Sequence, residues 1–159
     1  MKNVFYILLF CLFGVSLHSQ TFKIGGSIGL PAVDAADIST LAIGIDAYYY
    51  FTDVDAVVEI GATAGFRNFF GDEIAGFAIE DAQFLPLAGA ARIKLFGVLS
   101  GGLDVGYALG ISDGLDGGLY YRPVVGLDLA DTIELTASFE GISDAATWGN
   151  FNVGVLLEF

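Results

Sequence analysis

The sequence predicts an all-β protein, an eight-stranded antiparallel up-and-down transmembrane β-barrel preceded by a cleavable signal peptide. Three observations predict it. Apolar residues recur at every second position in eight separate stretches, the period of a strand with two unlike faces. The connections between the stretches alternate long and short. The chain is 55% hydrophobic with a mean hydropathy of +0.68. Beyond its first residues, however, no run approaches the roughly 20 apolar residues of a membrane helix. Its 22 glycines also argue against helix interiors.

The N-terminal stretch "MKNVFYILLFCLFGVSLHSQ" has a positive Lys2, an apolar run from Val4 to Val15 and a short polar close. The run is too short to span a bilayer and fits a secretory signal. Residues 1–19 are therefore read as signal peptide and 20–159 as one barrel domain, with cleavage after Ser19 preferred to cleavage after Ser16, where Gly14 would be the −3 residue. Cys11 and His18 leave with the signal, so the mature chain is expected to use no disulfide. The formal charge of −13 makes a surface that repels nucleic acid, so no nucleic-acid partner is expected.

The first strand, "TFKIGGSIGL", sets Phe22, Ile24, Ile28 and Leu30 against Lys23, Gly25, Ser27 and Gly29. In the second, "LAIGIDAYYYF", Ile43, Ile45, Ala47 and Tyr49 oppose Gly44, Asp46, Tyr48 and Tyr50. The third, "VVEIGATAGFR", sets Val58, Ile60 and Phe66 against Glu59, Thr63 and Arg67. The fourth, "LPLAGAARIKL", opposes Leu85, Leu87, Ile93 and Leu95 to Arg92 and Lys94. "LSGGLDVGYALG" and "LYYRPVVGLDL" follow, with Leu103, Val105, Val125 and Leu127 on one face and Asp104, Arg122 and Asp128 on the other. "TIELTASFEG" alternates Ile133, Leu135 and Phe139 with Glu134 and Glu140. The last strand, "FNVGVLLEF", carries Phe151, Val153, Val155, Leu157 and Phe159 on one face. Pro123 stands mid-strand, where it removes a ladder hydrogen bond, so a bulge is expected beside it.

The long connections are "PAVDAADIS", "NFFGDEIAGFAIEDA", "ISDGLDGG" and "ISDAATWG"; the short ones are "TDVD", "FG" and "AD". One plain end and one decorated end is the pattern of an up-and-down membrane barrel. A soluble ligand-binding barrel shares the period but faces its apolar side inward. Three features point the apolar side to lipid. That side is nearly free of charge, whereas the other is small, polar and mixed in sign, as a narrow lumen requires. Aromatics gather at the two ends of the strands: Phe22, Tyr49, Phe51 and Phe159 at the short-turn end, and Phe66, Tyr107, Tyr121, Phe139 and Phe151 toward the long loops. The third is the last strand, which must pair with the first to close the wall in lipid.

The alternating final strand with its terminal Phe159 resembles the C-terminal signal that the barrel assembly machinery of bacterial outer membranes recognises. Residues 20–159 as a whole resemble the small eight-stranded OmpA/OmpX-type outer-membrane barrels in architecture. The resemblance implies an outer-membrane location in a Gram-negative-type bacterium, extracellular long loops, outer-membrane lipid and the assembly machinery as partners, and no cofactor. The monomer is the expected state.

By parity the lumen holds Lys23, Asp46, Glu59, Arg67, Arg92, Lys94, Asp104, Arg122, Asp128, Glu134, Glu140 and Glu158. Charges so confined pair or stay hydrated. Heights counted from the turns place Glu59 near Arg92, Arg122 near Glu140 and Lys23 near Glu158, with Arg92 central among Glu59, Asp104 and Asp128. A polar plug and the lining of a narrow channel for small or hydrophobic solutes are both open readings. An enzyme is not expected. No histidine remains, and the "ISD" pairs Ser112–Asp113 and Ser143–Asp144 lack a base and fit turn chemistry. The long loops are acidic, and Asp113 and Asp116 are weak candidates for a divalent cation. Phe69, Phe70, Ile74 and Phe77 in the second long loop are expected to cover the mouth or meet a partner.

Overall fold

The computed structural model describes residues 20–52, 56–74 and 76–159; the expected signal peptide lies outside them. Its strands are β1 (Thr21–Val33), β2 (Ser39–Tyr50), β3 (Val58–Gly71), β4 (Glu73–Ile74), β5 (Phe77–Ala78), β6 (Ala82–Leu95), β7 (Leu99–Gly110), β8 (Gly117–Ala130), β9 (Ile133–Ser143) and β10 (Thr147–Glu158). The short β4 and β5 pair only with each other, inside the second long loop. The other eight strands form one closed antiparallel barrel in which β1 pairs with both β2 and β10. Closure leaves no strand edge unpaired, the condition for crossing lipid with strands.

The apolar face points outward. Leu103, Val105, Leu127 and Leu135 are 46%, 46%, 41% and 39% exposed, which excludes a soluble barrel packed around them. On the short-turn side, the rings of Phe22 and Phe159 stand 6.4 Å apart, and those of Tyr49 and Phe51 5.3 Å apart. Toward the long loops, Tyr121, Phe139 and Phe151 form a row across β8, β9 and β10 with centroids 6.2 and 4.9 Å apart. Tyr121 lies opposite Gly141, and its ring covers that glycine so closely that an added Cβ would meet it at 2.4 Å.

The strands run further toward the long loops than the apolar alternation does. Residues 31–33, 68–71, 82–84, 117–118, 142–143 and 147–150 are strand, not loop. In this collar the two faces exchange character. Asn68 and Gln83 pair on the outward face, where Asn68 is covered by hydrogen bonds with Gln83 and Asp81, while Phe69 and Phe84 are buried inside. Ser143 and Thr147 pair on the outside, while Ile142 and Trp148 are buried inside.

Pro123 does not produce the expected bulge. The β8–β9 register is the same on both sides of it, with Tyr121 opposite Gly141 and Val124 opposite Ser138. The proline ring fits an extended backbone and removes a donor without inserting a residue. The register shifts fall instead between Asp128 and Ala130, beside a turn, and between Ser39 and Leu41, at the start of β2.

Candidate functional site: the barrel interior

The inward side chains form three layers. At the short-turn end, Lys23 on β1 donates to Glu134 on β9 at 2.9 Å and meets Glu158 on β10 at 3.2 Å. Lys94 meets Glu59 at 3.1 Å. Beside these pairs the barrel opens into a cavity of about 510 Å³ lined by Lys94, Asp128, Asp131, Glu134 and Glu158. Beside Lys23, the rings of Tyr50 and Tyr48 stack 5.9 Å apart, with Lys23 over the first and Arg92 over the second.

The middle layer is three arginines and three carboxylates. Arg67 Nε donates to Glu140 at 2.7 and 2.9 Å, and its Nη2 donates to Asp46 at 2.8 Å. Arg122 Nη1 donates to Asp46 at 2.7 Å and to the Tyr48 hydroxyl at 3.0 Å. Arg92 Nη1 donates to Asp104 at 2.7 Å, and the Tyr48 hydroxyl donates to the other oxygen of Asp104 at 2.8 Å. The Tyr120 hydroxyl accepts from Arg67 and donates to Glu140. Arg67, Arg122, Asp104 and Glu140 are at most 1% exposed. Ions this deep persist only when each is paired and hydrogen-bonded, and here each is. Glycine makes the room: a Cβ on Gly44 would sit 2.8 Å from Arg67 Nη1, and one on Gly102 2.5 Å from Arg92 Cδ.

The upper layer is apolar. Phe69, Phe84 and Trp148 meet with centroids 5.4 to 6.1 Å apart, walled by Ala42, Ala108 and Ile142. Ile38 and Leu115 from the first and third long loops pack against this cluster. Hydrogen bonds tie the loops over it: Asp72 N donates to Ile38 O, and Thr147 N to an Asp34 carboxylate oxygen.

The structure brings Lys23 and Glu158 together, as the strand count places them. Glu59 and Arg92 stand directly opposite on β3 and β6, but Arg92 turns to Asp104 and Glu59 to Lys94. Arg122 binds Asp46 rather than Glu140, and Glu140 takes Arg67. Asp128 belongs to the cavity wall, not to the surroundings of Arg92. The cause is geometric. Arg92–Asp104 and Lys94–Glu59 join adjacent strands, but at diagonal rather than directly opposed positions, whereas Arg67–Glu140 and Arg122–Asp46 reach across the lumen between strands that do not touch. Heights along the strand rank such partners poorly. The parity reading includes Arg67 but gives it no special place, because the alternation in the sequence ends there; β3 continues to Gly71, which puts Arg67 within the lumen. The apolar alternation stops short of Phe84 and Trp148, so nothing in its period marks them as lumenal, whereas Tyr48 and Tyr50 share the face of Asp46.

Asp113 and Asp116 are exposed on the loop between β7 and β8. Among the described residues no group of three or more acidic, histidine or cysteine side chains is placed to hold a metal ion. Leu115 N donates to Ser112 O in one turn and Asp144 accepts from Ala145 N in the other, while the Ser112 hydroxyl accepts from Gln83 N and donates to Asp81 O, holding its loop to the start of β6. Phe69 covers the mouth from inside, whereas Phe77 is exposed at the β5 tip.

No protein-family model matches this sequence, and no curated protein does. Solved structures do match. The chain is similar to Ail, the attachment invasion locus protein of Yersinia pestis, at 16% identity and a TM-score of 0.57, over 88% of this chain and 97% of that one. It is similar to OprG of Pseudomonas aeruginosa at 11% identity and a TM-score of 0.51, over 89% and 96%. A de novo designed transmembrane β-barrel matches at 9% identity and a TM-score of 0.56, over 87% and 95%. The fold is that of the small eight-stranded outer-membrane barrels. Identities this low carry the architecture of the barrel and nothing of what its loops bind.

Proposed function

We propose that this barrel resides in an outer membrane as a closed structural element whose outer wall and loops, not its lumen, do its work. The observation that supports this reading is the interior: three buried arginines bonded to three carboxylates beneath an aromatic cluster. An eight-stranded lumen has little room beyond its side chains. All five bases of the described chain are in the lumen, so the surface it offers is apolar around the belt and acidic at the loops. With the long loops extracellular, that surface attracts divalent cations and basic partners, and Asp113 and Asp116 are exposed to them. No catalytic role is proposed.

The test is electrical. Purified protein refolded into a planar bilayer should give no steady current. A steady ionic current from the wild-type barrel would replace this reading with a narrow channel for small or hydrophobic solutes. Insertion depends on the last strand in the same reading: Phe159 N donates to Phe22 O at 2.9 Å, closing the wall where the assembly machinery would engage it. Deleting Phe159 should lower outer-membrane levels more than deleting Phe77 from the loop. Equal levels would count against that role.

A further inference from the structure

The three short turns differ. The β8–β9 turn carries Asp131, and the β2–β3 connection carries Asp53 and Asp55 in sequence. The β6–β7 turn, Leu95–Phe96–Gly97–Val98–Leu99, has no polar side chain at all. Phe96 at its tip is 94% exposed, and Val98 beside it is 52% exposed. The backbone is unfavourable for that ring as well. Phe96 has φ of +54° and Gly97 φ of +76°. Both values lie in the left-handed region, which suits glycine, asparagine or aspartate and not an aromatic residue. Both the local conformation and the exposure argue against phenylalanine here, unless water is not what surrounds it.

We infer that the β6–β7 turn is immersed in the membrane interface and that Phe96 is a lipid anchor holding the barrel at depth on that side. The occupant of this surface is the headgroup–acyl boundary of phospholipid. Continuity supports this: the turn prolongs the apolar outer faces of β6 and β7, where Leu95 and Leu103 are exposed. Position supports it too. The other aromatics of the short-turn end, Phe22, Tyr49, Phe51 and Phe159, all lie on or beside β1, β2 and β10. On the β6–β9 side of that end, among the described residues, Phe96 is the outward aromatic. Aromatic residues form girdles at that boundary in membrane barrels, and an anchor on each side sets the tilt between the two walls. The inference rests on the membrane reading above.

The experiment places a single tryptophan. In a Trp148→Phe background, Phe96→Trp and Val105→Trp are refolded separately into phosphatidylcholine vesicles brominated at shallow or deep acyl positions. Val105 is in the middle of the outward belt and reports on the membrane reading itself. The expected result is that Val105→Trp is quenched most by deep bromines. Phe96→Trp should lose about half or more of its emission to shallow bromines and little to aqueous iodide, as for interfacial aromatics. If Val105→Trp responds and Phe96→Trp answers only to iodide, the anchor is overturned and the membrane reading stands. If neither responds to bromine, the membrane reading fails with it. Should the Trp148→Phe background not fold, Phe96→Trp is compared with the parent. Phe96→Asn gives an independent check: it suits the turn, so it should preserve or raise the unfolding midpoint in detergent, yet lower it relative to the parent in vesicles. An equal change in both media would overturn the anchor.

Discussion

The belt and the collar of this barrel are made of the same strands with their faces exchanged. In the belt, β7 sets Leu103 and Val105 outside and Asp104 inside; in the collar, β10 sets Thr147 outside and Trp148 inside. The backbone pairing continues without interruption through the change: Phe151 faces Phe139, and four residues earlier Thr147 faces Ser143. What changes is the solvent that each face is suited to. Below the row of Tyr121, Phe139 and Phe151 the outer face suits lipid, so polarity is confined to the lumen. Above it the outer face suits water, and the barrel is filled as a soluble one is, with apolar side chains. One wall therefore has two cores, an ionic one and a hydrophobic one, joined where Arg67 follows the belt and Phe69 begins the collar.

The sharpest way to break this arrangement is Arg67→Ala. It leaves Asp46 and Glu140 facing each other with one arginine fewer, and loss of one partner from a buried ion pair costs about 3–5 kcal/mol. A large fall in the urea midpoint of the refolded barrel is expected, and a change under about 1 kcal/mol would refute the ionic core as a source of stability. Trp148→Ala strikes the other core. It removes a ring that meets both Phe69 and Phe84, and the expected loss is about 3 kcal/mol by the same measurement. The ionic layer below stays intact, so the bilayer current should remain at baseline.

One substitution made at two heights sharpens the comparison. Val105→Arg puts a charge on the outer face of the belt and should cost about 2–4 kcal/mol in a bilayer. Ser143→Arg puts the same charge on the exposed outer face of the collar and should change stability by less than about 0.5 kcal/mol. Equal costs would mean that both heights see the same solvent. A smaller effect than at Arg67 is expected at Lys94→Ala. That side chain is 24% exposed at the cavity, but Glu59 is 3% exposed and loses this ion pair, so a loss of about 1–3 kcal/mol is expected by the same measurement.

The same exchange of faces explains what the sequence discloses. All eight barrel strands and the direction of their apolar faces are legible, because belt residues such as Leu103, Val105 and Leu127 alternate with charges or glycine. The collar is not, since in "NFF" and "TWG" the hydrophobic phase reverses within a residue or two and the stretch reads as an irregular loop. Which residues enter the lumen is legible for the same reason, down to Lys23 and Glu158. The partners are not. Arg122 and Asp46 stand on β8 and β2, and no count along one strand records the width of a barrel.

The lumen pairs also join remote parts of the chain. Arg67 and Glu140 are 73 residues apart, Arg122 and Asp46 76, and Lys23 and Glu134 111. Contacts of such separation form late and slowly, since the intervening chain must be ordered before they are made. A half-finished barrel would hold Arg67 and Asp46 without Glu140 and Arg122, an assortment of buried charges that lipid cannot solvate. Partly inserted forms are thereby penalised, and the barrel's biogenesis is driven toward a single concerted step in which the first strand waits for the last.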